Sequence, residues 1–175
     1  VTLEFTPRTD ADGDWGRDGT WGLVSDDGYA RVGAVLEITD QHVVREFTAV
    51  STDVTVGQMV YLEAYAFPDD PQAAFGLAFE DVRYSSPLGE FPAWFVRAPG
   101  DIWAIFVHGK GASRREALRM LPSAVELGFP SLVITYRNDE EAPASPDGFY
   151  GYGQTEWQYL ERAVSYAADH GAEGL

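Results

Sequence analysis

Through the first 70 or so residues, apolar and polar positions tend to alternate. Met59, Tyr61, Glu63 and Tyr65 interleave with Val60, Leu62, Ala64 and Ala66 in the period of two that half-buried strands show. Tyr29–Ile38 and His42–Ala49 read as two further strands separated by Thr39-Asp40-Gln41. Asp10–Gly19, rich in Asp and Gly, predicts a surface loop. Phe67-Pro68-Asp69-Asp70-Pro71 breaks regular structure. The division expected from it is a β-rich segment over 1–72 and an α/β domain over 73–175.

Beyond Phe75 the pattern changes. Ala78–Ser85 and Phe91–Arg97 flank Ser86-Pro87-Leu88-Gly89-Glu90 and predict a hairpin. Ile102–Val107 is an unbroken apolar run, as expected of a strand covered on both faces. Ser113 and Glu116 have capping-box spacing. The helix opening there should bury Leu118, Leu121 and Val125 and stop at Gly128, ahead of Pro130. Pro122 should kink or shorten it. Ser131–Tyr136 predicts a second buried strand, followed by an irregular stretch over 137–154. Thr155 with Gln158 makes another capping box, opening a helix whose apolar stripe is Trp157, Leu160, Val164 and Ala167 and whose stop is Gly171. Tyr159 falls off that stripe. Strand, helix, strand, helix, then a strand expected after Leu175 is a βαβ rhythm. The fold class expected is α/β, a parallel sheet sandwiched by helices and preceded by a small β-rich segment.

Composition narrows the function classes. Hydrophobic residues are 45% of the 175 and aromatics 14%, enough to build a core and too much for a disordered acidic tail. A net charge of −16 argues against a nucleic-acid partner and against adsorption to anionic lipid. Without cysteine there is neither a disulfide framework nor a thiolate zinc site. No apolar run approaches the 18 or so residues of a spanning helix, and no basic start leads into an apolar signal segment. The first residue is Val, so the natural N-terminus is expected further upstream.

Ligands of a parallel sheet gather at the carboxyl ends of its strands. Two loops should reach that edge: His108-Gly109-Lys110-Gly111-Ala112-Ser113, and the longer one beginning Tyr136-Arg137-Asn138-Asp139. Glycines where a strand turns into a helix free main-chain N–H groups to face a phosphate or an oxyanion. The first loop has neither the P-loop spacing nor the dinucleotide-binding spacing. Glu140-Glu141 and Asp69-Asp70 lack the calcium-loop pattern and read as solvated faces, so no metal or cofactor is expected.

From about Phe75 the chain resembles the N-terminal part of a serine α/β-hydrolase of the esterase, lipase and S33-peptidase-like kind. The resemblance rests on the hairpin, Ile105-Phe106-Val107-His108-Gly109-Lys110-Gly111, and Val133-Ile134-Thr135-Tyr136-Arg137-Asn138-Asp139. Gly153-Gln154-Thr155-Glu156-Trp157 ahead of a helix and Gly171-Ala172-Glu173-Gly174-Leu175 look like the approach to the nucleophile strand. It is closest to membrane-tethered or secreted-type bacterial hydrolases with an extra β-rich N-terminal segment. The location is left open, a membrane-tethered or extracytoplasmic one following only if a further segment precedes Val1. In that family the residue after His-Gly donates its main-chain N–H to the oxyanion hole, which here implies Lys110, aided by the N–H following the nucleophile serine. His108, Gly109, Gly111, Arg137, Asn138 and Asp139 are the implied substrate-side residues. The implied partner is a small-molecule ester, thioester or amide, with no cofactor.

One departure matters. The sequence has no G-x-S-x-G: Ser113 follows Gly111 at the right distance, but Arg115 stands at the second glycine position. The nucleophile, acid and histidine of the triad are therefore expected beyond Leu175. The chain alone is expected to be an inactive fragment with an unpaired sheet edge. Two other readings stay open: a complete non-catalytic module whose β-rich half binds a partner, and a hydrolase whose nucleophile is Cys or Asp.

Each singled-out residue also has a structural reading. His108 reads as a prop for its turn, and His170 suits the negative end of a helix. The Lys110 side chain should point to solvent. Arg137, Asn138 and Asp139 should fix their loop by hydrogen bonds. Tyr150 and Tyr152 are candidates for lining an acyl pocket, whereas Trp157 reads as core.

Overall fold

The alternating half of the sequence folds into a five-stranded antiparallel sheet, with β1 at Thr2–Phe5, β2 at Trp21–Ser25, β3 at Gly28–Ile38, β4 at Val43–Ala49 and β5 at Tyr61–Glu63. The structure is a computed structural model that describes residues 2–5, 15–26, 28–51 and 54–175, and it divides into two compact units, 1–68 and 69–175. In the first unit the strand order is β1-β4-β3-β2-β5. The turn between β3 and β4 is tied by Thr39, whose hydroxyl accepts from the N–H groups of Gln41 and His42. Leu23, Ala30 and Val32 form the buried centre, flanked by Trp21, Phe47 and Leu62. β5 keeps only three residues of the alternation predicted over 59–66, and Ala66 leaves the extended path at a φ of 67°.

At the centre of this unit lies a charged group that alternation cannot reveal. Arg45 is fully buried. Its Nε and Nη2 donate to the Gly33 carbonyl at 3.0 and 2.7 Å, Nη1 to those of Trp15 and Arg17 at 3.0 and 2.9 Å, and Nη2 to that of Gly19 at 2.7 Å. Burial lowers the guanidinium pKa, against the opposing pull of Asp18. Residues 15–19 of the predicted surface loop thus turn several carbonyls inward, while residues 10–14 of that prediction lie outside the described residues.

The second unit begins with a helix that periodicity misses, α1 at Pro71–Phe75. The breaker creates it: the Asp70 carboxylate accepts from the Ala73 N–H, and Pro71 has the φ of a first turn. Then follow β6 (Glu80–Ser86), β7 (Gly89–Val96), β8 (Ala104–Phe106), a 3-10 helix (Arg114–Arg119), α2 (Leu121–Glu126), β9 (Ser131–Ile134) and α3 (Trp157–Asp169). Pro122 accounts for the split helix, because α2 starts at Leu121 with the proline in its first turn.

The sheet order is β6-β7-β9-β8, antiparallel across the first two pairs and parallel between β8 and β9. The sheet is therefore mixed, where a parallel one was expected. The reason lies in the hairpin: β7 is buried from Phe91 to Val96, and its Ala93–Val96 pair with β9, so the hairpin joins the sheet and makes β9 a central strand. All four residues of β9 are buried. The expectation that Ile102–Val107 is covered on both faces fails. β8 has only three half-buried residues, and Ile102 and Val107 are each about half exposed.

After α3 the chain returns beside β8. Gly174 makes a parallel bridge with Ile102, the Trp103 N–H donates to the Gly174 carbonyl at 2.9 Å, and the Glu173 N–H to that of Asp101 at 2.8 Å. An apolar cavity of about 610 Å³ lies there, lined by residues of the 102–105 stretch, Phe129, Leu160, Val164 and Leu175.

The packed face of α3 shares only Ala167 with the predicted stripe. Tyr159, Ala163 and Ala167 are buried in the core with Phe91, Leu132 and Ile134, whereas Trp157 and Leu160 are exposed. Hydrophobicity alone ranked Trp157 and Leu160 above alanine. The small side chains instead let the helix approach the sheet, and the ring of Tyr159 packs 4.8 Å from that of Phe91.

Two glycines meet at the foot of β8. The Gly100 N–H donates to the Gly128 carbonyl at 2.9 Å, and a Cβ on Gly100 would lie 2.5 Å from that oxygen. Gly100→Ala is expected to destabilise the second unit by roughly 1–3 kcal/mol, as overpacking against backbone does. A lowered urea midpoint would register it, and an unchanged midpoint would show that the turn yields freely.

Candidate functional site

Because β8 and β9 run parallel, the loops 107–113 and 135–156 leave the same edge of the sheet. They are clipped together by a buried pair. His108 Nε2 lies 2.8 Å from Asp139 Oδ2, with the side chains 2% and 4% exposed. The same carboxylate oxygen accepts from the Tyr136 N–H at 2.7 Å, and the Tyr136 hydroxyl donates to the His108 carbonyl at 3.2 Å. The two rings stack with centroids 4.5 Å apart. His108 Nδ1 lies 2.9 Å from the Gly109 carbonyl. Both ring nitrogens thus face acceptors, which calls for a proton on each and hence an imidazolium. Burial alone would push its pKa down, but the bond to Asp139, the Gly109 carbonyl and the charges of Asp139 and Glu116 outweigh it and raise it. With both nitrogens engaged, His108 is a clip between loops.

The rest of the second loop is fixed by its own side chains. Asn138 has a left-handed φ of 66°, and its Oδ1 accepts from the Ser145 N–H at 2.8 Å. Arg137 Nε donates to the Tyr159 hydroxyl at 2.9 Å. The Tyr150 hydroxyl donates to the Asn138 carbonyl at 3.2 Å. Of the predicted site residues, His108, Gly109 and Asp139 meet directly, while Arg137 and Asn138 are committed to Tyr159 and Ser145.

Both predicted capping boxes are built differently from the pattern. Ser113 does cap the 3-10 helix, its hydroxyl accepting from the Arg115 N–H. Glu116, expected to reach back to Ser113, takes the Gly109 N–H at 2.9 Å. At α3 the cap position is Glu156 and not Thr155. Its carboxylate takes the N–H groups of Gly151 and Gly153 at 2.6 and 2.8 Å. Burial would raise the Glu156 pKa, and the N–H groups overcome it and lower it.

In the first loop the Gly109 N–H is therefore occupied, and its carbonyl accepts from the Ala112 N–H at 3.1 Å. Among the described residues, the main-chain N–H groups of Lys110 and Gly111 have no hydrogen-bond partner. Gly111 turns the chain at a φ of 77°. The exposed Lys110 ammonium donates to the Tyr152 hydroxyl at 2.8 Å and lies 5.0 Å from the ring centroid. What sequence reasoning missed is the actual partner of Glu116, the Gly109 N–H; only its three-residue spacing from Ser113 marked it. Among the described residues, no group of three or more His, Asp or Glu is placed to hold a metal ion. No helix among them is long and apolar enough to cross a membrane.

Comparison with known proteins places these features in context. A family model described as "Domain of unknown function (DUF8805)" matches residues 1–63, within the β-rich unit. No curated protein matches the chain. Among solved structures, the Pyrococcus furiosus esterase Pf2001 in space group P21 is similar at a TM-score of 0.50 and 17% identity, over 59% of this chain and 41% of that one. The same esterase in space group P212121 gives 0.50 and 17% over 58% and 39%. The chain spans about two fifths of the length of these esterase chains. The likeness is one of fold: an esterase-like mixed α/β arrangement at partial coverage.

Proposed function

We propose that this chain is the N-terminal part of a serine α/β-hydrolase that cleaves an ester, thioester or amide through an acyl-enzyme. The observation that carries the reading is the loop after β8. It leaves the carboxyl end of a parallel pair, turns into a helix, and keeps the Lys110 N–H free while the N–H before it is occupied. An N–H at that point of the fold is where an α/β-hydrolase supplies one donor to the tetrahedral oxyanion. The strand order β6-β7-β9-β8 and the likeness to an esterase fold support the same reading.

In this mechanism the serine of a downstream strand–elbow–helix attacks the carbonyl carbon, and its proton passes to a histidine base. The oxygen that gains the charge is held by the Lys110 N–H and by the N–H after the serine. Collapse expels the alcohol, thiol or amine, and water then releases the acid. This chain's part is to present the Lys110 donor from a loop whose other ties are already made, so that little reorganisation accompanies the reaction. Gly109 and Gly111 let the backbone approach the substrate, while His108 and Asp139 hold the loop to its neighbour. Arg137 and Asn138 shape the adjoining wall through Tyr159 and Ser145. The bridge from Gly174 to Ile102 suits a nucleophile strand entering beside β8, over the apolar cavity.

The reading frame of the source gene beyond codon 175 tests the proposal first. A small apolar strand and G-x-S-x-G within about ten residues are expected, as the strand–elbow–helix context requires. The full-length product should then be labelled by a serine-reactive fluorophosphonate, and residues 1–175 alone should not. A frame that stops at Leu175, or a full-length protein that resists the label, overturns the serine hydrolase.

A further inference from the structure

We infer that Glu116 is a positioning residue for the oxyanion loop, a role resting on the hydrolase reading above. A glutamate three residues after a Ser cap ordinarily folds back on the cap's own N–H. Here it bypasses Ser113 and binds the Gly109 N–H at 2.9 Å, seven residues back and on the far side of the loop. The loop is thereby pinned from two sides. Glu116 holds the Gly109 N–H from the helix, and the Gly109 carbonyl is held by the Ala112 N–H and the His108 ring.

The Gly109 carbonyl shares its peptide plane with the N–H of the next residue, so the bonds on that carbonyl aim that N–H, while the Glu116 bond fixes the plane before it and so limits rotation about Gly109. In this loop that next N–H belongs to Lys110, which has no partner among the described residues. Glu116 thus decides which of two neighbouring donors is spent on the fold and which is left for a substrate. Its negative charge would oppose a developing oxyanion if nothing balanced it. The His108 ring senses Glu116, but its principal partner is Asp139, so it offsets that charge only in part. Misplacing a single donor by about 1 Å is enough to lower a rate by around 10²-fold.

The test uses Glu116→Ala and Glu116→Gln. The glutamine keeps an oxygen that accepts the Gly109 N–H and gives up the charge. In the full-length protein, with p-nitrophenyl butyrate as the probe, Glu116→Ala should lower kcat about 10–100-fold and leave KM within about twofold. Glu116→Gln should recover most of kcat. In residues 1–175, the Gly109 amide proton should lie downfield by NMR, lose that shift in Glu116→Ala and keep it in Glu116→Gln. If the wild type is labelled by fluorophosphonate and Glu116→Ala retains kcat, or if both variants fall together, the positioning role is overturned while the hydrolase stands. A Gly109 proton indifferent to Glu116 overturns it as well. An unlabelled wild type overturns the hydrolase reading and leaves the NMR result to judge the contact by itself.

Discussion

Arg45→Ala is expected to destabilise the β-rich unit by on the order of 3–5 kcal/mol, enough to unfold a marginal domain. The guanidinium fills the space between β3, β4 and the 15–19 segment, and its donors meet carbonyls of Trp15, Arg17, Gly19 and Gly33. Truncation strands those acceptors away from water and leaves a cavity, two penalties that add. Lysine does not repair the loss. Its three donors diverge from one nitrogen, whereas the planar fork spreads its contacts over four residues. Arg45→Lys should therefore recover only a minor part. Urea denaturation followed by NMR signals of residues 15–63 measures the effect, with signals of 69–175 as the internal comparison. A variant whose β-rich signals melt at the wild-type midpoint would show that the carbonyls find water.

The second large effect is expected at the His108–Asp139 clip. His108 has a raised pKa in the folded chain. The folded state thus binds its proton more tightly than the unfolded one, whose imidazole has the ordinary value of about 6.5. The stability this supplies is complete below about pH 6.5 and is lost as the pH rises through the folded pKa. Asp139→Ala should cost about 3–5 kcal/mol in the acidic part of that range, because it leaves a buried cation without its partner.

The variant should also reverse the pH trend. With the principal counter-charge gone, burial dominates and His108 titrates below its ordinary value, so stability rises with pH through that region where the wild type's falls. Urea midpoints from pH 5 to 9, with His108 followed by NMR, decide the matter. A wild-type His108 titrating below 6.5, or two parallel pH profiles, would contradict the imidazolium.

Much of this architecture was legible in the chain. The alternation over 29–49 and the apolar run 131–136 located β3, β4 and β9 to within two residues, because strands that bury one or both faces must carry that pattern. Pro122 announced the broken helix, and His-Gly-Lys-Gly marked the turn after β8. The errors came where pattern and packing part company. In α3 the bulkiest side chains were assigned inward, but the sheet accepted Tyr159 and two alanines, leaving Trp157 outside. Arg45 occupies an inward position of β4, where a charged residue reads as a solvent-facing one until its acceptors are known.

The sequence by itself determined the elements that depend on neighbours along the chain: most of the strands and the breaks at Pro122 and Gly128. Only the tertiary structure decided what those elements do for one another. It joined the hairpin antiparallel to β9 and made the sheet mixed. It brought His108 to Asp139, 31 residues away, and turned Glu116 from its own helix to the Gly109 N–H. Local pattern specifies which groups need partners; which partner each one finds is set by long-range packing, and a hydrogen bond between distant residues leaves no period in the sequence.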